Sequence, residues 1–103
     1  MKTPVRIPPG EMEKGAGRAS EFLKTLSHEA RLRILCMLLD SEKSVNQLSA
    51  GLQMRQAAVS QQLQRLRAEH LVATRRQGKE IFYTINSDEV IEIMEVLEDI
   101  YCR

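Results

Sequence analysis

The segment "SVNQLSAGLQMRQAAVSQQLQRLRAEH" (residues 44–70) decides the fold, because it contains two helical patterns separated by a short break. Ser44 lies three residues before Gln47, which is the capping-box spacing that begins a helix. This first helix is short and ends near Gly51. After "LQM", a second helix is predicted from about Arg55 to His70. Two helices joined by a tight turn are typical of a helix-turn-helix.

The second helix of this pair has two different faces. Val59, Leu63 and Leu66 recur at helical spacing and form a stripe for the core. The opposite face carries small or amide side chains, namely Gln56, Ala57, Ser60, Gln61 and Gln64. Amides and hydroxyls can hydrogen-bond to base edges in the major groove. A solvated polar face on an ordinary helical domain would show the same pattern.

The segment "LVATRRQGKEIFYTI" (residues 71–85) changes the period from helical to extended. Two runs rich in β-branched and aromatic residues flank "RQGK", so a hairpin with Gly78 at its turn is predicted. A basic hairpin directly after an amide-bearing helix favours DNA binding over a merely solvated face. Together these segments predict a winged helix-turn-helix.

Helical patterns also flank this unit. A first helix is expected from about residue 11, and a second from an N-cap at Ser27 to about Leu39, apolar almost all round from Ile34 and therefore buried. Ser87 caps the last helix. The prediction is a mainly α fold with a β-hairpin, in the order α-α-α-α-β-β-α, over residues 11–103. Residues 1–10 contain all three prolines and are expected to form a flexible leader.

Length and composition indicate one cytoplasmic domain of 103 residues that would gain stability by dimerising. Hydrophobic residues make up 43%, with no run long enough to span a membrane and no signal-peptide pattern. Charge is unevenly distributed. Residues 55–80 carry six Lys or Arg and two Glu, whereas residues 86–103 carry six acidic residues and one Arg. The middle of the chain would attract a polyanion.

The segments "LKTLSHEARLRILCML", residues 44–72 and "RRQGKEIFYTI" resemble the ArsR/SmtB family of bacterial winged-helix repressors, over about residues 20–102. The resemblance implies a homodimer held by the first and last helices and bound to double-stranded DNA at an inverted-repeat operator. Three residues depart from the family pattern. Arg55 stands where Ser is frequent, Gln62 where His is frequent and His70 where Gly is frequent.

Carried onto this sequence, the resemblance assigns two groups of DNA-binding residues. The base-reading residues are Gln56, Ala57, Ser60 and Gln61. The phosphate-binding residues are Arg55, Arg65 and Arg67, with Arg75, Arg76 and Lys79 in the wing. Base readers would select the operator, and phosphate contacts would fix the orientation of the protein on the duplex.

Many family members respond to metal ions, but the ligand inventory here is poor. The third helix has no cysteine, and the last helix has six acidic residues but no His. His28 and His70 are most simply polar residues at helix ends. We therefore expect no metal site and no cofactor. A repressor that responds to a metal ion or another ligand, with structural cysteines, remains the alternative.

The two cysteines offer a different effector. Taken singly, Cys36 is a small buried hydrophobic residue in an apolar helix and Cys102 is an incidental terminal thiol. Together, "ILCML" and "YC" resemble the dithiol subgroup of the family, which includes biofilm-growth repressors, sulfide-responsive repressors and HlyU-like regulators. That resemblance implies reversible disulfide or polysulfide bridging by a persulfide or related oxidant. Arg103 beside Cys102 favours its thiolate, so Cys102 is expected to attack first.

The third hypothesis is a thiol oxidoreductase or a small interaction domain. An oxidoreductase would be expected to contain a Cys-x-x-Cys pair or a thiol with a positioned base, and the sequence contains neither. No Ser/His/Asp set, glycine-rich phosphate loop or paired-carboxylate pocket is recognisable. The sequence therefore predicts a DNA-binding regulator and not an enzyme.

Overall fold

The computed structural model describes residues 7–102, and in that range it contains five helices and one three-stranded antiparallel sheet. The elements are α1 (Pro9–Leu26), α2 (Glu29–Asp40), β1 (Lys43–Ser44), α3 (Val45–Leu52), α4 (Gln56–Ala68), β2 (Val72–Gln77), β3 (Glu80–Ile85) and α5 (Asp88–Tyr101). This order confirms the predicted winged helix-turn-helix, with α3 and α4 as the helix pair and β2–β3 as the wing.

The core lies where α2, α3, α4 and α5 meet. Its fully buried side chains are Ile34, Leu35, Leu48, Leu63, Leu66, Val59 and Val90. The predicted apolar stripe of α4 is thus confirmed as its inward face. Burying that stripe leaves the amide-bearing side of α4 on the outside of the domain.

Two of the predicted caps are confirmed. The Ser44 hydroxyl accepts a hydrogen bond from the Gln47 amide at 3.1 Å, and the Gln47 side chain accepts one from the Ser44 amide at 2.9 Å. The Ser87 hydroxyl accepts from the Val90 amide at 3.2 Å. These bonds use amides that the first turn of a helix leaves without partners, so they fix where α3 and α5 begin.

The predicted N-cap of α2 is wrong by one residue. Ser27 ends α1, because its amide donates to the Leu23 carbonyl at 2.8 Å. His28 is the N-cap of α2, with an extended backbone and no side-chain capping bond. Continuation of α1 through Leu26 therefore excludes Ser27 from the capping position.

Helix α1 begins at Pro9, inside the segment predicted as a flexible leader. Proline suits the first helical position, because its φ is already fixed near the helical value and its missing amide proton has no intrahelical partner there. Helix α1 therefore starts two residues before the predicted start at about residue 11. Residues 1–6 lie outside the described part of the chain.

The two-residue strand β1 was not predicted. Lys43 lies opposite Tyr83 and Ser44 opposite Phe82 in β3, which places β3 in the middle of the sheet. A strand of this length is too short to show alternation in a sequence. It attaches the segment after α2 to the wing.

The helix α4 ends in a left-handed backbone turn. His70 has φ of 61°, the Leu71 amide donates to the Leu66 carbonyl at 3.0 Å, and the His70 amide donates to the Arg67 carbonyl at 2.9 Å. This is the Schellman arrangement, in which glycine is the preferred residue at the left-handed position. His70 thus stands where the backbone favours glycine.

We expect His70→Gly to raise the free energy of unfolding by about 0.5–1 kcal/mol, because relief of the left-handed backbone outweighs the added entropy of the unfolded chain. Urea unfolding of the wild type and the variant measures the change. His70→Ala is the matched control and should give no gain, since alanine keeps the Cβ. A less stable glycine variant would contradict a strained backbone at this helix end.

Candidate nucleic-acid interface and thiol pair

Helix α4 presents its predicted polar face to solvent. Gln56, Ala57 and Gln61 are exposed and Ser60 is half-buried, while Val59 and Leu63 are buried behind them. Arg55 is the N-cap and makes no side-chain capping bond. The first turns of α4 therefore offer amide, hydroxyl and methyl groups together with the positive end of the helix dipole, which suits a polyanionic partner.

Asn46 belongs to the same surface and was missed by the sequence analysis. The Gln56 amide nitrogen donates a hydrogen bond to Asn46 Oδ1, which ties the beginning of α4 to the beginning of α3. Asn46, Ser60 and Lys79 also line one cleft between the helix pair and the wing. The only signal for Asn46 was its place in the capping segment "SVNQ", where Asn is an ordinary residue near a helix start.

The wing is a hairpin with a two-residue tip. Gly78 has φ of 63° there, a backbone that glycine adopts without steric cost, and Lys79 follows it. Arg76 is exposed beside the tip, and its Nε donates to the Gly78 carbonyl at 3.2 Å. Arg76 and Lys79 are thus displayed at the end of the wing, where the predicted hairpin would place them.

Arg75 lies differently from the other wing cations. Its Nε donates to Glu42 Oε2 at 3.0 Å, and its Nη2 contacts Glu42 Oε1. The guanidinium also lies over the Phe82 ring, 4.9 Å from the ring centroid. Hydrogen bonding from Arg75 lowers the pKa of Glu42. The carboxylate therefore stays charged and neutralises the charge of Arg75.

The remaining predicted phosphate-binding residues lie on α4 and at its N-cap. Arg65 pairs with Glu69 at 3.0 Å. Arg55 and Arg67 are exposed, and neither forms an ion pair within residues 7–102. Their charges are therefore available to a polyanion, whereas that of Arg65 is shared with a carboxylate.

Gln62 lies on the inner side of α4 and not on its outer face. There it takes part in a polar network. Arg31 Nε donates to Gln62 Oε1 at 2.9 Å, and Arg31 Nη1 donates to the Thr25 carbonyl at 2.9 Å. The Thr25 hydroxyl donates to Glu69 at 2.6 Å and lowers the pKa of that carboxyl, with a further lowering from Arg65. The network holds α4 against α1 and α2.

Cys36 and Cys102 are both free thiols, and both are exposed. Cys36 lines a cleft of about 480 Å³ together with Glu95 and Glu98 of α5. Cys102 is the C-cap of α5, and its amide donates to the Glu98 carbonyl at 2.9 Å. Residues 95, 98 and 102 share one face of a helix, so Cys102 follows the side of α5 that borders the Cys36 cleft. The description of Cys36 as a buried hydrophobic residue is wrong.

The cleft changes the acidity of Cys36. Partial desolvation raises the pKa of the Cys36 thiol, and electrostatic repulsion from the neighbouring Cys102 and Glu98 side chains raises it further. A raised pKa reduces the thiolate fraction of Cys36, so this thiol ionises reluctantly. Arg103, expected to favour the Cys102 thiolate, lies outside the described residues.

Helices α1 and α5 carry an uncovered apolar surface. Of the 18 residues of α1, Thr25 and Leu26 are the buried ones. Leu23, Val96, Ile100 and Tyr101 are exposed. A shallow cleft lined almost entirely by apolar side chains joins Leu23 and Leu26 to Ile93, Val96 and Leu97. An apolar surface of this kind on a small domain is typical of a protein contact.

Metal-binding and membrane-spanning features are lacking in the described part of the chain. Among residues 7–102, no three or more His, Cys, Asp or Glu side chains are grouped so that they could hold a metal ion. No helix in that range combines the length and apolar character needed to cross a membrane.

A helix pair with an outward amide face, followed by a basic hairpin, defines a DNA-binding protein of the winged helix-turn-helix class. Residues 28–74, which contain α2, α3 and α4, match the family described as bacterial regulatory protein, arsR family.

Three similar proteins extend this match to most of the chain. The transcriptional activator HlyU of Vibrio cholerae is 47% identical over 90% of this chain and 86% of its own. The biofilm growth-associated repressor of Agrobacterium fabrum is 45% identical over 93% of this chain and 82% of its own. The crystal structure of the transcriptional repressor BigR from Xylella fastidiosa has a TM-score of 0.86 and 37% identity, over 94% of this chain and 99% of that one. The chain therefore belongs to the ArsR family of transcriptional regulators, as its sequence resemblance predicted, and these relatives support a regulator over an enzyme.

Proposed function

We propose that this protein is a homodimeric, cytoplasmic transcriptional repressor that leaves its operator when Cys36 and Cys102 become bridged. The observation that carries the proposal is that Cys36 lines a cleft between α2 and α5, and that Cys102 follows Glu98 of that cleft by one helical turn and is near enough to raise the pKa of Cys36. The DNA-binding helix α4 packs on that same α2. A covalent link across α2 and α5 would therefore act on the support of the DNA-binding helix.

The operator is an inverted repeat of double-stranded DNA. Helix α4 of each subunit lies in the major groove of its own half-site. Gln56, Ala57, Ser60 and Gln61 read base edges, since they occupy the outer face of the first turns of α4. The phosphate-binding residues free of ion pairs within residues 7–102 are Arg55, Arg67, Arg76 and Lys79. Base contacts would supply the choice of sequence and the cations most of the affinity.

The homodimer forms through α1 and α5. Their exposed apolar residues would be buried by a second copy of the chain, which presents the same surface by two-fold symmetry. Half-sites of such a dimer lie one helical turn or more apart on DNA. A small change in the angle between subunits would therefore move both recognition helices out of register.

The effector is a persulfide or a related sulfur oxidant. The Cys102 thiolate attacks the outer sulfur of a persulfide RS–SH, which forms Cys102–S–SH and releases RS⁻. The Cys36 thiolate then attacks Cys102 Sγ, which forms a disulfide and releases HS⁻. If a second persulfide first extends the chain to Cys102–S–S–SH, attack on the middle sulfur forms a trisulfide and again releases HS⁻. In each case the two thiols are oxidised and the persulfide is reduced.

The raised pKa of Cys36 supports this order of events. A thiol that ionises reluctantly is the poorer first nucleophile and the more suitable resolving group.

The competing function is a repressor that binds a metal ion or another ligand, with structural cysteines. The cleft beside Cys36 has room for a small molecule, which is compatible with this alternative. An experiment that counts the free thiols separates the two functions.

Intact-mass measurement tests the effector. Reduced protein is exposed without oxygen to glutathione persulfide, with peroxide in a parallel sample, and alkylation then counts the free thiols. We expect both thiols to disappear within one chain, with loss of two hydrogens and gain of one sulfur mass for each inserted atom. Two thiols that remain free would sink the sulfur-sensing function and favour the metal or ligand alternative.

A further inference from the structure

The guanidinium of Arg75 has its nitrogens bonded within the protein. Nε and Nη2 both contact the Glu42 carboxylate, and Nη1 donates to Gln77 Oε1 at 2.8 Å. Phe82, directly opposite Arg75 in the β2–β3 pairing, lies against the plane of the group. A two-pronged bond to one carboxylate has more geometric specificity than an ordinary surface ion pair. The Arg75 side chain therefore crosses the sheet from β2, over Phe82 of β3, to Glu42 beside β1.

Glu42, in turn, belongs to a segment that is fixed to the end of α2. The neighbouring Lys43 Nζ donates to the Met37 carbonyl at 3.2 Å and to the Ser41 hydroxyl at 2.7 Å. Lys43 also pairs with Tyr83 in the sheet. Glu42 therefore joins two parts that are far apart in the sequence, the C-terminal turn of α2 and the first half of the wing.

We propose that Glu42 and Arg75 are a positioning pair that sets the angle of the wing relative to the recognition helix, and that Arg75 does not bind phosphate. This inference rests on the proposed DNA interface, in which Arg76 and Lys79 at the wing tip contact phosphates. The pair holds those two cations at the distance from α4 that one DNA duplex requires. Glu42 also lines the cleft that contains Cys36, so the pair connects the wing to the surroundings of the thiols.

The opposite interpretation makes a prediction of opposite sign. If Arg75 were a phosphate-binding residue masked by Glu42, removing the carboxylate would free a cation and strengthen DNA binding. If the pair positions the wing, removing the same carboxylate weakens binding, although the protein becomes less negative. The sign of one substitution therefore separates the two roles.

The experiment measures operator affinity of the full-length protein over a range of salt concentrations for Glu42→Gln, Arg75→Gln and the double variant. Arg76→Gln serves as the phosphate-binding comparison, since it lies one residue along the same strand. Glu80→Gln serves as the control for removal of an acidic charge on the wing. Glu80 is exposed and forms no ion pair among residues 7–102.

We expect Glu42→Gln and Arg75→Gln each to weaken binding by about threefold to tenfold, and the double variant to be no worse than either, as for two residues that act through one interaction. Neither should change the slope of log affinity against log salt. Arg76→Gln should reduce that slope by about 0.9 for each phosphate that the protein no longer neutralises. Glu80→Gln should bind at least as tightly as the wild type.

Two results would overturn the positioning role. One is tighter binding by Glu42→Gln, and the other is a reduced salt slope in Arg75→Gln like that of Arg76→Gln. A different pattern would reject the DNA interface itself. If Arg76→Gln left both affinity and slope unchanged, the wing would not contact DNA, and a positioning role for Glu42 and Arg75 would fail with it.

Discussion

Cys36→Ser and Cys102→Ser proteins are expected to bind the operator as tightly as the wild type, and neither should leave it after treatment with glutathione persulfide. Both side chains are exposed, so replacing sulfur by oxygen removes no core packing. The wild type should lose about fivefold to 150-fold in affinity on treatment, the range of typical allosteric couplings. Fluorescence anisotropy with a labelled operator measures affinity before treatment, after treatment and after reduction.

Several controls separate loss of the switch from loss of the fold. Thermal unfolding of both variants should match that of the reduced wild type. A reductant should restore the binding of the treated wild type, because the bridge is reversible. Release that persists in Cys36→Ser would show that Cys102 acts alone or between subunits. Release that persists in both variants would remove the cysteines from the switch.

The parts of the fold that were predicted well depend on short-range signals. The Ser44–Gln47 capping box lies within one helical turn, and Gly78 alone identifies the turn of the wing. The apolar stripe of α4 repeats at a period that only a helix buries on one side. Interactions of this range are specified by neighbouring residues, so the sequence is sufficient to locate them.

The errors in the fold arise where the local sequence pattern allows more than one outcome. Ser27 is a good N-cap residue, yet α1 continues far enough to use its amide. Cys36 lies in a helix with apolar residues on most sides, and such a pattern does not indicate which side faces solvent. Tertiary packing decides both cases. The exposure of Cys36 matters most, because a buried thiol would not have been accessible to an oxidant.

The features of the candidate site that were missed depend on interactions between distant residues. Glu42 and Arg75 are 33 positions apart, and Arg31 and Gln62 are 31 apart. The sequence shows six basic residues between 55 and 80 but does not show which are already paired. The structure divides them into exposed cations and cations bound to carboxylates.

The recognition helix itself gives the second large effect, in the variant Gln61→Ala. Gln61 is exposed on the outer face of α4, and its amide makes no hydrogen bond within residues 7–102, whereas that of Gln56 is already bonded to Asn46. Removing a two-pronged amide bond to a base costs about 1–3 kcal/mol of discrimination. Operator affinity should thus fall by about fivefold to 150-fold.

Gln64→Ala is the matched control, because Gln64 carries the same amide on the same face one turn further from the beginning of α4. Residues near the beginning of a recognition helix make most base contacts, so Gln64→Ala should change operator affinity by less than about twofold. Binding to unrelated DNA should stay unchanged in both variants, since phosphate contacts are kept. If Gln61→Ala weakened binding to both DNAs equally, Gln61 would support the helix and not read bases. If Gln64→Ala had the larger effect, the helix would enter the groove one turn deeper, and the base-reading set would move with it.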